Sequence, residues 1–433
     1  MAAAEQGNLE APLLSAKPRP KPVYVVAGLV LLALAARVAA RWSLAPGAVG
    51  PLLAPAAETA AAGQVQDPQV PFFRISASSY RDAGLKHGRV ARERIRGWLA
   101  TREMQSYVTY ALGRGRFAFE QMKVDNSAAF PMYVEELHGI AEGAGISVDA
   151  VWCLNLINEL ANLMRIDGLS FNASGKHCSD IYAISPKGYQ HGFALGHNDD
   201  WSDDIKPYWY FLAYSSSDSS QTQQLDFAGC AGLVYPGSLV GWSPTWNRFG
   251  VFTTQNTLTP RRQRRGGLAS AFVQRRAICP SRSLADVVAA LTSGSWSDAA
   301  SVNIADTWGE RMANVELWEG LHSVKHVTSS MGNYSHFNEF KHMTTSAGNP
   351  IDAPSNFKHD PRQARVDALP PPRFEADVVA RLSDPLVFVS EGTISTVVLN
   401  ASTRQLSVWC GVPAVAAAPA YIWHLPTFFD PTP

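Results

Sequence analysis

Cys178 opens the segment "CSDIYAISPKGYQHGFALGHNDDW" (178–201), and two acids, Asp199 and Asp200, stand near its end. Two strand-like runs, at about 179–185 and about 192–198, flank Pro186 and Gly188, a pattern that predicts a β-hairpin. Antiparallel pairing about a turn near residue 188 sets Cys178 opposite the acid pair. A thiol and a carboxylate then meet at the open end of one hairpin. The stretch before the cysteine, "IDGLSFNASGKH" (166–177), is polar and glycine-bearing, as an exposed linker is.

A thiol with an unperturbed pKa near ~8.5 holds little thiolate at neutral pH unless a base or cation adjoins it. Cutting the bond between His177 and Cys178 creates an α-amino group of pKa near ~7.7–8.0 on the same residue. That amine can take the thiol proton directly or through water, the strategy of an N-terminal nucleophile. Otherwise, a lone cysteine in an oxidising compartment is half of a disulfide. The run "NDDWSDD" (198–204) also has the composition of a solvated acidic loop or a Ca²⁺ site, but it matches no recognised calcium-loop spacing. His177, His191 and His197 lack metal-site spacing and read as ordinary surface or core histidines. No metal and no cofactor is expected. Trp201, Trp209, Trp242 and Trp246 are expected to build core or pocket wall.

The elements that position the hairpin follow from periodicity. Residues 79–165 carry apolar side chains at three- and four-residue intervals, broken at Gly143 and Gly145, which predicts helices. After Cys178 come short strand-like runs: "SDIYAIS", "HGFALGHN", "YWYFLAYSS", "QTQQLDFAG", "GLVYPGSLV" and "RFGVFTTQN". Helical pattern returns at 268–292, interrupted at Pro280, and strands again at 301–306, 312–318, 394–400 and 405–410. The absence of regular βαβ alternation points to a layered α/β sandwich rather than a doubly wound sheet. "RRQRR" (261–265) reads as a solvated basic loop, with convertase cleavage as the alternative.

Several pieces, in order, carry a resemblance: "GLKHG" (84–88), "ELHGIAEGAG" (136–145), Cys178 followed by a hydroxyl residue, and "GHNDDW" (196–201). They continue with "FGVFTTQN" (249–256), "SVNIAD" (301–306), "MGNYSHF" (331–337), "DPRQARVDAL" (360–369) and "TISTVVLN" (393–400). Together they resemble the family of isopenicillin N acyltransferase and the insect β-alanyl-amine hydrolases, within the N-terminal-nucleophile fold of penicillin V acylases and bile salt hydrolases. The resemblance runs from about residue 79 to 425. It implies an α+β fold, a four-layer αββα N-terminal-nucleophile hydrolase sandwich. It also implies Cys178 as autoproteolytic residue and nucleophile, with cleavage after His177. Asp200 would orient the freed amine, with Asp199 as the neighbouring candidate. Asn256 and Asn333 would supply oxyanion donors, each typically worth ~3 kcal/mol when lost. Arg362 would lower the thiol pKa or steady the carboxylate, with Arg365 as the other register. The family usually places Gly before its cysteine, where glycine eases the strained geometry of an acyl shift; here His177 stands.

By this resemblance the substrate is a small N-acyl amide, such as a β-alanyl conjugate of an amine, cleaved by way of an acyl-enzyme. The alternatives are an acyltransferase using a thioester donor and a catalytically silent lumenal binding ectodomain. The two processed chains are expected to stay associated through a shared core.

The chain has 433 residues, 46% of them hydrophobic and 17% charged, enough for a full-sized core. Its 37 basic residues balance 37 acidic ones, so no global field recruits nucleic acid. Val23–Ala36 is an unbroken apolar run, and continuing it to Ala40 brings it near the ~17-residue minimum for crossing a bilayer. Lys17, Arg19 and Lys21 precede it, which predicts a cytoplasmic N-terminus. The expected organisation is a cytoplasmic tail at 1–22, a single transmembrane signal anchor at 23–41 and a stalk at 42–70. A helical chain at 71–177 and a catalytic chain at 178–433 follow. This describes a single-pass type II membrane protein with its catalytic domain lumenal or extracellular; secretion after signal cleavage is the alternative. "EAPLLS" (10–15) is a weak match to a dileucine sorting signal. Asn172 and Asn400 head sequons expected to be glycosylated, whereas an oxyanion donor at Asn333 would be buried and its sequon unused. Cys153, Cys230, Cys279 and Cys410 suffice for two disulfides.

Overall fold

The computed structural model describes residues 70–169, 178–217, 225–332, 334–344, 360–389, 392–413 and 418–429. The expected tail, anchor and stalk, Asn172, His177 and Asn333 lie outside the described residues. Among the described residues no helix is long and apolar enough to cross a membrane.

The chain enters on strand β1 (Phe72–Ala77), then runs through seven helices: α1 (Tyr80–Val90), α2 (Arg92–Leu99), α3 (Arg102–Leu112), α4 (Arg116–Ala129), α5 (Pro131–Ala144), α6 (Val148–Asn155) and α7 (Ile157–Ile166). Ser79, Thr101 and Ser147 start α1, α3 and α6 by accepting the backbone N–H groups of Asp82, Met104 and Ala150 on their side-chain oxygens. Gly145 stops α5 in the left-handed conformation at φ 68°. α1 and α5 pack backbone to backbone: a Cβ added at Gly84 would lie 2.0 Å from the Glu136 carbonyl oxygen, and one at Gly143 2.3 Å from that of Leu85. The glycines of "GLKHG" and "ELHGIAEGAG" therefore serve a helix contact.

The hairpin follows as β2 (Ser179–Ile184) and β3 (Phe193–Asp200), then β4 (Tyr210–Ser216), β5 (Cys230–Val234), β6 (Thr245–Asn247) and β7 (Val251–Leu258). Helices α8 (Ser270–Ile278) and α9 (Leu284–Thr292) lead to β8 (Ala299–Asp306), β9 (Arg311–Trp318), β10 (Leu321–Val327) and β11 (Tyr334–His336). After α10 (Pro361–Asp367) and α11 (Glu375–Leu382) come β12 (Thr393–Asn400), β13 (Gln405–Cys410), β14 (Tyr421–His424) and α12 (Leu425–Phe428). One sheet has the order β1-β4-β5-β6-β7-β8-β9-β10, and the other β11-β2-β3-β12-β13-β14. Among the pairings of these strands, β1–β4 is parallel and the rest are antiparallel.

The sheets face each other, with Tyr182 of β2 donating its hydroxyl to Asn303 of β8 at 2.6 Å. Helix α11 covers the outer face of the six-stranded sheet, where Val378 and Leu382 pack on Ile181, Ala183 and Val398. Helices α1, α8 and α9 lie on the eight-stranded sheet. The layering is helix, sheet, sheet, helix, and the expected α+β class holds. Three strand expectations need correction. β1 precedes the helices, and β10 and β14 extend the sheets beyond the runs read from the sequence. In "QTQQLDFAG", Asp226–Gly229 is a turn, closed by Gly229 at φ 84°, and residues 221–224 lie outside the described residues. The strand in "GLVYPGSLV" stops at Val234, before the turn that holds Gly237 at φ 80°.

Cysteine usage also differs from expectation. Cys230 and Cys279 form one disulfide, tying the start of β5 to the end of α8, while Cys153 and Cys410 remain reduced. Cys153 is fully buried in α6 and Cys410 ends β13.

Candidate active site

The β2–β3 register pairs Ser179 with Asn198 and Asp180 with His197, so the next position outward brings Cys178 beside Asp199. Alternation then sorts the side chains by face. Cys178, Asp180, His197 and Asp199 point between the sheets, while Ser179, Ile181, Asn198 and Asp200 point toward α10 and α11. Cys178 is buried at the head of β2 and opens on a narrow pocket walled by Asp199, Trp201, Tyr235, Trp242 and Ser243. Trp201 and Trp242 are pocket wall, as expected; Trp209 and Trp246 are core.

The inter-sheet face carries a hydrogen-bonded cluster. Asp180 accepts from His197 Nδ1 at 2.7 Å, from Asn256 Nδ2 at 2.8 Å and from the Thr254 hydroxyl at 2.5 Å. Asp199 accepts the Tyr235 hydroxyl at 2.5 Å and the Ser243 hydroxyl. His197 Nε2 has no hydrogen-bond partner of good geometry among the described residues and lies 3.8 Å from Asp199 Oδ2. One polar atom from each of Cys178, His197 and Asp199 lies within 4.8 Å of the other two. Burial pushes the Cys178 thiol up, His197 pulls it down, and Asp199 and Asp200 add to the rise. Burial would lower His197, but Asp180 first, then Asp199 and Cys178, hold it well above the ordinary imidazole value.

On the other face of the hairpin, Asp200 is fully buried and accepts the Thr393 hydroxyl on Oδ1 at 2.5 Å. Its Oδ2 has no partner among the described residues. Burial raises its carboxyl to about 8, against the pull of Thr393, Arg362 and His197. Arg362 lies behind the nucleophile candidate. It donates Nη1 to the Cys178 carbonyl at 3.2 Å and to Ser179 Oγ at 3.2 Å, Nη2 to Asn338 at 2.8 Å, and Nε to Asp360 at 2.9 Å. Arg365 instead reaches outward and pairs with Asp384 at 2.7 Å. Of the two registers, the structure brings Arg362 to the site.

Asn256 sits in the cluster, but its amide is already engaged: it donates to Asp180 and accepts from Asn303 Nδ2 at 2.9 Å. In this conformation it holds Asp180. Cys178, Asp199 and Asn256 thus lie on the inter-sheet face at the open end of the hairpin, and Asp200 and Arg362 on its opposite face. His197, Asp180, Thr254 and Asn303 were missed from the sequence as site residues. For His197 the signal was present, because the register that sets Cys178 against Asp199 also sets Asp180 against His197.

The calcium alternative is not supported by the placement of its acids. Asp199 and Asp200 lie on opposite faces of β3, and Asp203 pairs with Lys206 at 2.6 Å on the surface. Cys178, His197 and Asp199 offer sulfur, imidazole and carboxylate donors. Both Asp199 oxygens, however, are taken by hydroxyls and His197 Nδ1 by Asp180, so we assign no metal there. At Asn400 the side chain donates to Glu375 at 2.9 Å and accepts from the backbone of Ser402 and Thr403. In the basic loop, Arg265 pairs with Asp167, and Arg262 lies over the Trp318 ring at 5.1 Å.

Residues 187–413 match the family described as acyl-coenzyme A:6-aminopenicillanic acid acyl-transferase, over just more than half of the chain. The chain belongs to this family. The matched region contains Asp199, Asp200, Asn256 and Arg362 and begins after Cys178. A beta-alanyl-dopamine/carcinine hydrolase of Drosophila melanogaster is 25% identical over 331 residues, covering 73% of this chain and 83% of that protein. Penicillin V acylase from Agrobacterium tumefaciens is 12% identical over 54% of this chain and 83% of its own, with a TM-score of 0.32. A mutant conjugated bile acid hydrolase from Clostridium perfringens is 9% identical over 54% and 89%, also at 0.32. At TM-scores this low neither likeness carries an argument.

Proposed function

We propose that this acyl-transferase family member is a cysteine amidohydrolase. In this reading the bond between His177 and Cys178 is cut, and Cys178 attacks a small N-acyl amide to form an acyl-enzyme that water releases. The observation that carries it is a buried thiol at the head of β2 together with a buried Asp200 oxygen, at the end of the paired strand, that lacks a partner among the described residues. A carboxyl raised to about 8 by burial is a site waiting for a cation, and a new α-ammonium on Cys178 supplies one. The family match and the amide-cleaving relative from Drosophila melanogaster support the chemistry. Arg362 fixes the Cys178 carbonyl, and Asn333 serves as an oxyanion donor.

The pocket lining supports a small amine conjugate as substrate: Trp201, Tyr235 and Trp242 stand beside the Asp199 carboxylate, a setting that suits a β-alanyl ammonium or an aromatic amine. The Cys230–Cys279 disulfide favours an oxidising compartment, in keeping with a lumenal or extracellular catalytic domain tethered through residues 23–41.

The test is N-terminal sequencing of the mature protein beside a Cys178→Ala variant, with release of β-alanine from a β-alanyl amine followed in both. We expect a chain beginning Cys178-Ser179-Asp180, and no cleavage and no release in the variant. A chain beginning at Ser179, or unchanged release in Cys178→Ala, overturns the reading. The family's name favours one second reading, acyl transfer from a thioester. Supplying a thioester with competing amines and comparing acid with amide product separates the two.

A further inference from the structure

The cluster between the sheets contains a histidine that an amine-driven mechanism leaves unused. His197 is buried, its Nδ1 donated to Asp180 at 2.7 Å, and Asp180 is itself fixed by Thr254 and Asn256 from the facing sheet. A purely structural ion pair would satisfy both imidazole nitrogens. Here Nε2 has no hydrogen bond of good geometry among the described residues and lies on the side of the Cys178 sulfur and the Asp199 carboxylate. The ring cannot turn away without breaking the Asp180 bond, so hairpin register and that bond together aim Nε2 at the nucleophile.

We propose that His197, oriented by Asp180, is a catalytic residue: its imidazolium pairs with the Cys178 thiolate and then protonates the departing amine. The proposal rests on Cys178 being the nucleophile, and it does not require the backbone cut. The thiol proton leaves to the α-amine, or to water where no cut has occurred. The sulfur lone pair then forms the S–C bond while the carbonyl π pair moves to oxygen. On collapse the C–N bond breaks, its electron pair goes with nitrogen, and the Nε2 proton completes the leaving amine. A water attacking the thioester returns a proton to Nε2, and the sulfur leaves as thiolate. Asp180 acts through His197 and is a positioning residue. Asp180 and Asp199 hold His197 well above the ordinary imidazole value, which favours its cation. Asp180, Asp199, Tyr182 and Tyr235 are the other titratable groups on this face, and Asp200 and Arg362 stand on the opposite face of the hairpin.

The experiment is the pH dependence of Cys178 alkylation by iodoacetamide, read by mass spectrometry on the full chain, in wild type, His197→Gln and Asp180→Asn. We expect both variants to slow alkylation at pH 7 at least tenfold and to move the rising limb up by at least one pH unit. kcat should fall with KM little changed. A folded His197→Gln protein within twofold of wild type at every pH overturns the proposal. Should neither variant fold, the protonation of His197 in wild type, read by ¹⁵N chemical shift, decides: a neutral imidazole at pH 7 overturns it. Sequencing separates the two ideas. An uncut chain with His197-dependent alkylation sinks the amine mechanism alone, and a cut chain indifferent to His197 sinks only this proposal.

Discussion

Arg362 and Arg365 are three residues apart on α10, yet they meet opposite surroundings. Arg362 is buried and shares its charge with Asp360 while donating to the Cys178 carbonyl and Asn338. Removing it leaves a buried carboxylate without its cation and three acceptors, the Cys178 carbonyl, Ser179 Oγ and the Asn338 side chain, without this donor. Arg362→Ala is therefore expected to cost about 3–5 kcal/mol. Arg365→Ala breaks a partly exposed pair and is expected to cost less than about 1 kcal/mol. Urea midpoints of the two variants check this, and equal losses would mean Arg362 is not the anchor of β2. Asp200 gives a pH signature of its own in an uncut Cys178→Ala background. Its carboxyl is protonated up to about 8 in the folded chain, against near ~3.9 unfolded. The folded state therefore binds the extra proton between these values, and stability falls as pH rises through that window. Asp200→Asn should flatten that decline by several degrees of Tm between pH 5 and 8. A Tm profile unchanged by the substitution would show that burial does not hold the proton there.

At the scale of elements, the glycines of α1 and α5 are the clearest test of packing. Gly84→Ala places a methyl 2.0 Å from a backbone carbonyl that cannot move without disturbing α5, the helix whose Glu136 pairs with buried Arg275 at 3.1 Å. We expect ~3 kcal/mol or more of destabilisation by chemical denaturation. Gly97→Ala meets only the far end of the Tyr208 ring, which can swing aside, and should cost far less. The hairpin and the helices were legible because their signals are local: period two about a turn at 188, and three- and four-residue spacing over 79–165. What was not legible is what approaches from far along the chain. Thr254 and Asn256 reach Asp180 across more than seventy positions, and Asn303 reaches Asn256 across 47. No local period records such meetings. His197 fell between these cases, since hairpin register could have paired it with Asp180, but only its facing sheet makes that pair a cluster. The strands β1, β10 and β14 escaped for other reasons: β1 pairs with β4, far along the chain, while β10 and β14 are edge strands next to their sequence neighbours and too exposed to carry an apolar alternation.

At the scale of the whole molecule, the proposed cut after His177 falls within one packed body. The segment before it supplies β1, paired in parallel with β4, and helices whose buried side chains belong to the same core as the strands that follow. Trp152 of α6 stacks on Phe272 of α8 at 5.2 Å, and Asn155 donates to the Gly237 carbonyl at 3.0 Å. The one disulfide among the described residues, Cys230–Cys279, lies entirely in the later segment, and Cys153 of the earlier one is reduced. Nothing covalent among the described residues therefore bridges the cut, and packing, strand pairing and hydrogen bonds hold the halves. The two chains of the processed protein should co-elute in gel filtration and unfold in a single urea transition. They should also separate on a denaturing gel equally well with and without reductant. Replacing Cys230 and Cys279 by serine should lower stability by up to about 4 kcal/mol, the chain-entropy value for a loop of 49 residues, without altering that band pattern. Halves that part in buffer without denaturant would mean the shared core contributes too little to keep Cys178 buried. Its pocket, whose described walls all belong to the later segment, would then have to persist without the helices that pack behind it.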